Sequence, residues 1–404
     1  MSTFDLDRFI SDFVTKREFS LFHTDIQDNL DIFVERIQDK SVLVIGGAGS
    51  IGSSFIKSLL PFKPKSLVVV DISENGLAEL TRDLRSTPGF FVPENYTPYP
   101  FNFSDKVFEK MFRAYGGFDI VANFSAHKHV RSEKDVFSVE ALLKNNVFQV
   151  KKLFDLLTEF PPEQFFCVST DKAVNPVNIM GASKKIMEEL AFLYSDKYPV
   201  KTARFANVAF SNGSLPAGFL ERINKRQPIS APSDVRRYFV SPQESGEICL
   251  LACMLGNNRE IFFPKIEKSQ MMALSDIALA LLRERGYVPV VYDSSEEAIA
   301  ASELSKEDCS EYPVYFSKSD TTGEKKYEEF YTNTEETDMK RFDSLGVIIN
   351  SQIPDLESIS VFLKNLENVF ENANLKKSDV VNILEEFLPN FKHEEKNNFL
   401  DSKM

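Results

Sequence analysis

The stretch VLVIGGAGSIG, Val42 to Gly52, limits what this chain can fold into more than any other. An apolar run of strand length ends at Ile45, glycines recur at Gly46, Gly49 and Gly52, and an amphipathic segment follows directly. A glycine at each of these points has a physical reason: a tight turn, a close backbone approach to a ligand, and close packing of a helix on a strand. The first turn of such a helix presents free N–H groups and the positive end of its dipole to an anion. A second apolar run, SLVVVD, ends on Asp71, nineteen residues after Gly52.

The same alternation continues. Strand-like runs SVLVIG, SLVVVD, FDIVANFS, QFFCVST and VKTARFANV are separated by helix-like segments over 51–60, 74–85, 105–115, 136–159 and 183–197. Strands alternating with helices predict an α/β fold with a doubly wound parallel Rossmann-type sheet. After about residue 205 the regularity fades into SNGSLPAGF, KRQPISAPSDVRRYFVSP and PVYFSKSDTTGEKKYEEFY, read as loop-rich, and YDSSEEAIAASELSKEDCSEYP is read as an exposed acidic excursion. Ile26, Leu30, Phe33, Val34 and Ile37 form a helical stripe with Thr24 or Asp25 as N-cap, and two more stripes run from Leu356 to Phe370 and from Val380 to Phe387. The expected organisation is therefore a helical N-terminal extension over 1–38 and a dinucleotide-binding domain over 39–204. A smaller, mainly substrate-binding subdomain follows over 205–353, with some elements returning to the sheet, and a helical C-terminal extension covers 354–404.

Composition excludes some classes. At 404 residues the chain exceeds one minimal core, and a formal net charge of -13 is the wrong sign for a protein whose main partner is a nucleic-acid backbone. Cys167, Cys249, Cys253 and Cys309 form no CxxC pair, so neither a metal site nor a disulfide framework is indicated, and Cys249 and Cys253 read as buried thiols. No apolar stretch reaches membrane-spanning length and no leader pattern opens the chain, which predicts a cytoplasmic protein without a membrane span. The helical ends predict a homo-oligomer.

Asp71 can accept hydrogen bonds from the adenosine ribose and would repel a 2′-phosphate, favouring NAD over NADP; the competing reading is a turn or capping acid. The stretch VSTDKAVNPVNIMGASKK, Val168 to Lys185, crowds hydroxyl, acid and lysine groups where a strand meets a helix. Asp171 is a candidate general acid and Lys172 a candidate base, Thr170 can hydrogen-bond a reacting oxygen, and Lys184 can supply positive charge beside it. Met180 has no ionisable proton and reads equally as pocket wall or core filling. His127 and His129 read as loop groups rather than catalytic bases.

MGASK, with Met180 and Lys184 where short-chain dehydrogenases carry the Tyr and Lys of YxxxK, together with STDKAVNP, closely resembles the nucleotide-sugar 4,6-dehydratases. The resemblance is to the UDP-N-acetylglucosamine 4,6-dehydratase branch of the bacterial polysaccharide biosynthesis family, whose members often carry Met there. It spans roughly Lys40 to Tyr331 and includes SAHKHV, NNV, RFANVAFSNGS, VRRYFVSPQE and TTGEKKYEE. Two family arginines are replaced, one by Asn212 and one at Thr321–Thr322, with Lys128, Lys225, Arg226 and Arg236 as available substitutes.

The resemblance implies a tightly bound, recycled NAD. Its contacts would be Gly46, Gly49, Ser50, Ile51, Gly52, Asp71, Ser73, Asn102, Phe103, Ser125, Ala126, Lys128, Asn145 and Lys184. A UDP-sugar would meet Lys128, His129, Asn207, Ser214, Arg237 and Glu324. It also implies a redox-neutral dehydration: hydride leaves sugar C4, water is lost across C5 and C6, and hydride returns to C6. Thr170, Asp171, Lys172, Met180 and Lys184 would line the reacting sugar. The alternatives are a nucleotide-sugar 4-epimerase, which needs no acid for a C6 hydroxyl, and a non-catalytic nucleotide-binding subunit.

Overall fold

Sixteen strands occur among the described residues of the computed structural model, which are 4–129, 133–304, 310–319 and 327–393. In chain order they are β1 Ser41–Ile45, β2 Ser66–Val70, β3 Asn95–Tyr99, β4 Ile120–Asn123, β5 Gln164–Val168, β6 Val200–Ala203, β7 Asn207–Val208 and β8 Ile229–Pro232. There follow β9 Arg236–Arg237, β10 Phe239–Val240, β11 Glu260–Pro264, β12 Met272–Ala273, β13 Val288–Tyr292, β14 Glu311–Ser317, β15 Thr337–Asp338 and β16 Leu345–Ile348.

Nine of them form one sheet in the order β15-β16-β11-β6-β5-β4-β1-β2-β3. Pairing is parallel from β3 through to β11, and β16 and β15 close that edge antiparallel. Strand order reverses between β1 and β4, so the crevice outside the carboxyl ends of these two strands is where a ligand fits an open sheet of this kind. Side chains alternate between the two faces. Val42, Val44, Leu67 and Val69 join one apolar cluster with the helices Ser50–Leu59 and Pro242–Leu255, while Leu43, Ile45, Val68 and Val70 join another with the helices Lys106–Tyr115 and Ile179–Leu193.

Several sequence expectations change. The strand β3 was not anticipated: NYTPY is an edge strand with only Tyr96 buried, and Pro98 is tolerated because an edge leaves ladder positions unpaired. VKTARFANV is two strands, β6 in the main sheet and β7 paired with β10 outside it. The segments read as loop-rich carry β8, β9, β10 and β14, and β13, β14 and β8 build a separate parallel sheet. The acidic excursion contains the helix Ser295–Leu304.

The N-terminal stripe breaks into His23–Gln27 and Leu30–Ile37, and neither Thr24 nor Asp25 is an N-cap. Asp25 is buried and accepts instead from the backbone N–H groups of Asp343 at 2.7 Å and Ser344 at 2.9 Å, tying the extension to the entrance of β16. The C-terminal stripes form the helices Leu356–Phe370 and Lys377–Phe387, stacked through Phe362 and Phe387 with ring centroids 4.2 Å apart. Cys167, Cys249 and Cys253 are buried free thiols, and Cys309 lies outside the described residues. Among the described residues no helix is long and apolar enough to cross a membrane.

Candidate active site

At the end of β1, Gly46 takes φ +75°, and a Cβ there would stand 2.7 Å from the Ser125 backbone nitrogen. Gly52 faces the same turn, where a Cβ would stand 2.3 Å from the Gly46 carbonyl oxygen. Gly49, by contrast, has no neighbour closer than 3.4 Å and serves as N-cap of the helix Ser50–Leu59 with no side chain occupying the cap. The turn is thus tight where chain meets chain and open where the helix N-terminus faces the crevice, the shape a pyrophosphate requires. Ile51 lies in the first turn of that helix.

Asp71 holds this loop from the side. Its Oδ2 accepts from the Ala48 backbone N–H at 3.0 Å and its Oδ1 from that of Ser73 at 2.9 Å. Ser73 caps the following helix by accepting from Gly76 N–H at 3.1 Å. Asn102 closes its own turn by accepting from Ser104, and Phe103 is buried in the core beneath. Ser125 donates from its backbone and side chain to Asn123 Oδ1, and Ala126 follows in the same loop. Lys128 Nζ donates to the Asn212 carbonyl at 3.1 Å, and the Asn212 N–H donates to Ser50 Oγ at 2.9 Å, so the turn at Asn212 folds over the helix N-terminus. His129 faces the same turn at Gly213.

The strand β5 delivers the crowded stretch. Thr170 Oγ1 donates to Asp171 Oδ1 at 2.7 Å, and Lys172 Nζ donates to the same oxygen at 3.0 Å. Asp171 is 1% exposed, and its Oδ2 is buried without a hydrogen-bond partner among the described residues. Burial pulls the Lys172 amine down, but the charges of Asp171 and Glu328 outweigh it and hold the pKa above its ordinary value. The ligand-free Lys172 is therefore an ammonium, not the free amine needed when the lysine acts as base.

Met180 and Lys184 sit on the helix Ile179–Leu193, capped by Asn178. Met180 is 3% exposed and belongs to the apolar cluster, and its N–H donates to Glu133 Oε1 at 2.9 Å. Lys184 is buried, donates to the Val168 carbonyl at 2.6 Å, and is lowered to about 8 by burial. Asn145 donates to Asn146 Oδ1, and it is Asn146 that joins the site: Nδ2 donates to the His127 carbonyl and Ser183 Oγ, and Oδ1 accepts from His127 N–H. Asn146 lies in a π-helical stretch, Lys144–Gln149, a distortion frequent at functional sites.

Of the residues expected to meet a substrate, Asn207 has its Nδ2 buried without a partner among the described residues. Ser214 caps the helix Leu215–Asn224. Arg237 is buried, with Nε 3.9 Å from Glu328 Oε1. Glu324 lies outside the described residues.

Sequence reading missed Asn146, Glu328 and the assembly of buried Glu188 and Arg204 with half-buried Glu335. Arg204 Nη2 donates to Glu188 at 2.7 Å and Glu335 at 2.8 Å, and Ser169 Oγ donates to Glu188 at 2.5 Å. NNV, Asn145 to Val147, contains Asn146, but the resemblance singles out only Asn145 as a cofactor contact. Glu328 and Glu335 carry no spacing signal.

With this geometry in view, the comparisons with known proteins are decisive for family. A family model described as polysaccharide biosynthesis protein matches residues 42–350. The chain belongs to that family. An uncharacterized membrane protein of Methanocaldococcus jannaschii is 36% identical over 262 residues, covering 62% of this chain and 74% of its own. The capsular polysaccharide biosynthesis protein CapD of Staphylococcus aureus is 27% identical, covering 65% of this chain, and the match takes in less than half of its length, 43%. A UDP-glucose 4-epimerase of Rickettsia bellii is 29% identical over 60% of this chain and 70% of its own. Among solved structures, Pen from Bacillus thuringiensis superposes with a TM-score of 0.61 at 23% identity, over 79% of this chain and 90% of that one. That likeness supports the fold.

Proposed function

We propose that this member of the polysaccharide biosynthesis family is an NAD-dependent nucleotide-sugar 4,6-dehydratase, with UDP-N-acetylglucosamine as the substrate to test first. The observation that carries the reading is the Thr170–Asp171–Lys172 unit. It sets a hydroxyl, a buried carboxylate with one oxygen unengaged among the described residues, and an amine at the mouth of the cofactor crevice. Simple hydride transfer needs no such acid and base, whereas loss of water across C5 and C6 needs both.

The loop 46–52, the open helix N-terminus and Asp71 fit a dinucleotide, and the Asp71 carboxylate disfavours a 2′-phosphate. Such a cofactor, when bound, supplies the hydride acceptor for C4 and the donor for C6. The protein's own groups handle protons. Thr170 Oγ1 receives the C4 hydroxyl proton while passing its own to Asp171 Oδ1, a route that replaces the missing tyrosine. Asp171 then protonates the departing C6 hydroxyl, and Lys172 takes the proton from C5. Lys184 orients the ribose hydroxyls and places positive charge near the C4 oxygen.

A second reading, a nucleotide-sugar 4-epimerase, is favoured by the 29% identical relative named UDP-glucose 4-epimerase. The two separate when the purified protein is incubated with UDP-N-acetylglucosamine without reductant and the sugar nucleotide is followed by mass spectrometry. Loss of one water supports the dehydratase; an unchanged mass with a new stereoisomer indicates the epimerase. No change with several nucleotide sugars overturns both.

A further inference from the structure

Proton counting at this site leaves one proton without a destination. Asp171 receives the C4 proton and gives it to the C6 hydroxyl. Lys172, an ammonium in the ligand-free structure, can take the C5 proton only after losing one of its own.

Besides Asp171, a second carboxylate faces this amine among the described residues. Glu328 Oε1 is 3.5 Å from Lys172 Nζ, its side chain is 3% exposed, and the same oxygen is 3.9 Å from Arg237 Nε. Asp171, Lys172, Glu328 and Arg237 thus form a row of alternating negative and positive charge. The described residues 327–336, which include Glu328, form no helix or strand and are fixed by Arg204. The Arg204 Nη1 donates to the Phe330 carbonyl at 3.2 Å and to Glu335 at 3.0 Å, and the Phe330 ring packs against Phe263 and Tyr238.

We propose that Glu328 is the proton acceptor that turns Lys172 into the C5 base, acting through that lysine rather than on the sugar. The inference rests on the dehydratase reading. The timing follows from the charges. Lys172 stays protonated because Asp171 and Glu328 together outweigh its burial. Once Asp171 takes the C4 proton its charge is gone, and burial then favours neutral amine. The Nζ–H bond breaks as the Glu328 Oε1–H bond forms, and the free amine pair takes the C5 proton. When hydride returns to C6, Lys172 gives that proton back to C5 and Glu328 returns its own to Nζ. Arg237 keeps Glu328 in place and balances its charge between turnovers.

Two measurements test this. With UDP-N-acetylglucosamine in deuterated water, Glu328→Gln is expected to slow water loss and C5 deuterium uptake together, by about 100-fold or more. Its residual rate should climb about tenfold per pH unit above neutrality, because Lys172 must then shed its proton to solvent, and Glu328→Asp should recover much of the loss. A wild-type rate in Glu328→Gln, or a slower rate with the wild-type pH profile, overturns the proposal. The second measurement needs no turnover. Asp171→Asn imitates the protonated aspartate, so its infrared spectrum at neutral pH should show a protonated carboxyl band that vanishes in Asp171→Asn/Glu328→Gln. Absence of that band overturns the proton transfer. If the wild type dehydrates no nucleotide sugar, the reaction assignment fails and the infrared result alone decides whether Glu328 takes the proton.

Discussion

Thr170 Oγ1 donates to Asp171 Oδ1 at 2.7 Å while Lys172 Nζ donates to the same oxygen. One carboxylate oxygen therefore gathers both neighbours, and the other, buried and unengaged among the described residues, is left for a substrate hydroxyl. If this hydroxyl relays the C4 proton, Thr170→Val, which keeps the shape and removes the oxygen, should slow turnover by about 100-fold to 10,000-fold with nucleotide affinity unchanged. Thr170→Ser should retain most activity. Rates of water loss and a UDP titration check both; a fully active valine variant rules the relay out.

What the sequence discloses and what it hides follow from the same geometry. Strands β1, β2, β4 and β5 are legible because they are buried on both faces and so appear as unbroken apolar runs. The edge strand β3 is not, since a strand with one buried residue has no such run. Asp171 and Lys172 are legible because they are adjacent in the chain. Glu328 and the Arg204 assembly are not, because their contacts depend on the segment 327–336 folding back; Arg204 and Glu335 are 131 residues apart. Asp25 misleads for a related reason: its local position suits a helix cap, but two backbone N–H groups at residues 343 and 344 claim it.

The Arg204 assembly carries a stability prediction. Arg204 is 1% exposed and Glu188 0%, joined through two hydrogen bonds of 2.8 and 2.7 Å. Arg204→Met takes the paired guanidinium from buried Glu188 and leaves it Ser169 and the more distant Lys185 Nζ at 3.8 Å. The expected cost is about 3–5 kcal/mol in urea unfolding. Lysine should not restore it, because a point charge cannot reproduce the fork that spans two carboxylates. Burial pushes the Glu188 carboxyl upward, but the Arg204 guanidinium outweighs it and holds the pKa below the usual value. The stabilisation it lends is therefore present above the ordinary glutamate range and lost as pH falls through the lowered value. Acid unfolding should come at higher pH in the variant.

Met180 decides between pocket wall and core filling. Its side chain is 3% exposed and packs in the cluster with Val147, Ile179 and Met187. A volume-conserving Met180→Leu should cost less than about 1.5 kcal/mol and keep activity, whereas Met180→Tyr overfills the space and should cost about 1–3 kcal/mol. Thermal unfolding and water-loss rates on both variants check this. If the tyrosine variant gains rate without losing stability, the residue faces the sugar.

Lys184 pairs a functional gain with a folding cost. Burial lowers it from 10.5 to about 8. Below about 8 both folded and unfolded chains hold its proton and the burial cost is complete. Between about 8 and 10.5 the unfolded chain binds a proton that the folded chain has released, so the lysine's contribution makes stability rise with pH, by about 1.4 kcal/mol per unit. Lys184→Met removes that titration while leaving the Val168 carbonyl without its donor. Lys201, also lowered to about 8 by burial, is present in both proteins and cancels in the comparison. The stability of the variant relative to wild type should therefore fall by about 3 kcal/mol as pH is raised from 8 to 10.5. Urea unfolding at a series of pH values measures this. A difference that stays flat across that window means that Lys184 keeps its ordinary pKa. If Lys184 orients the ribose as proposed, the variant should bind NAD weakly at every pH.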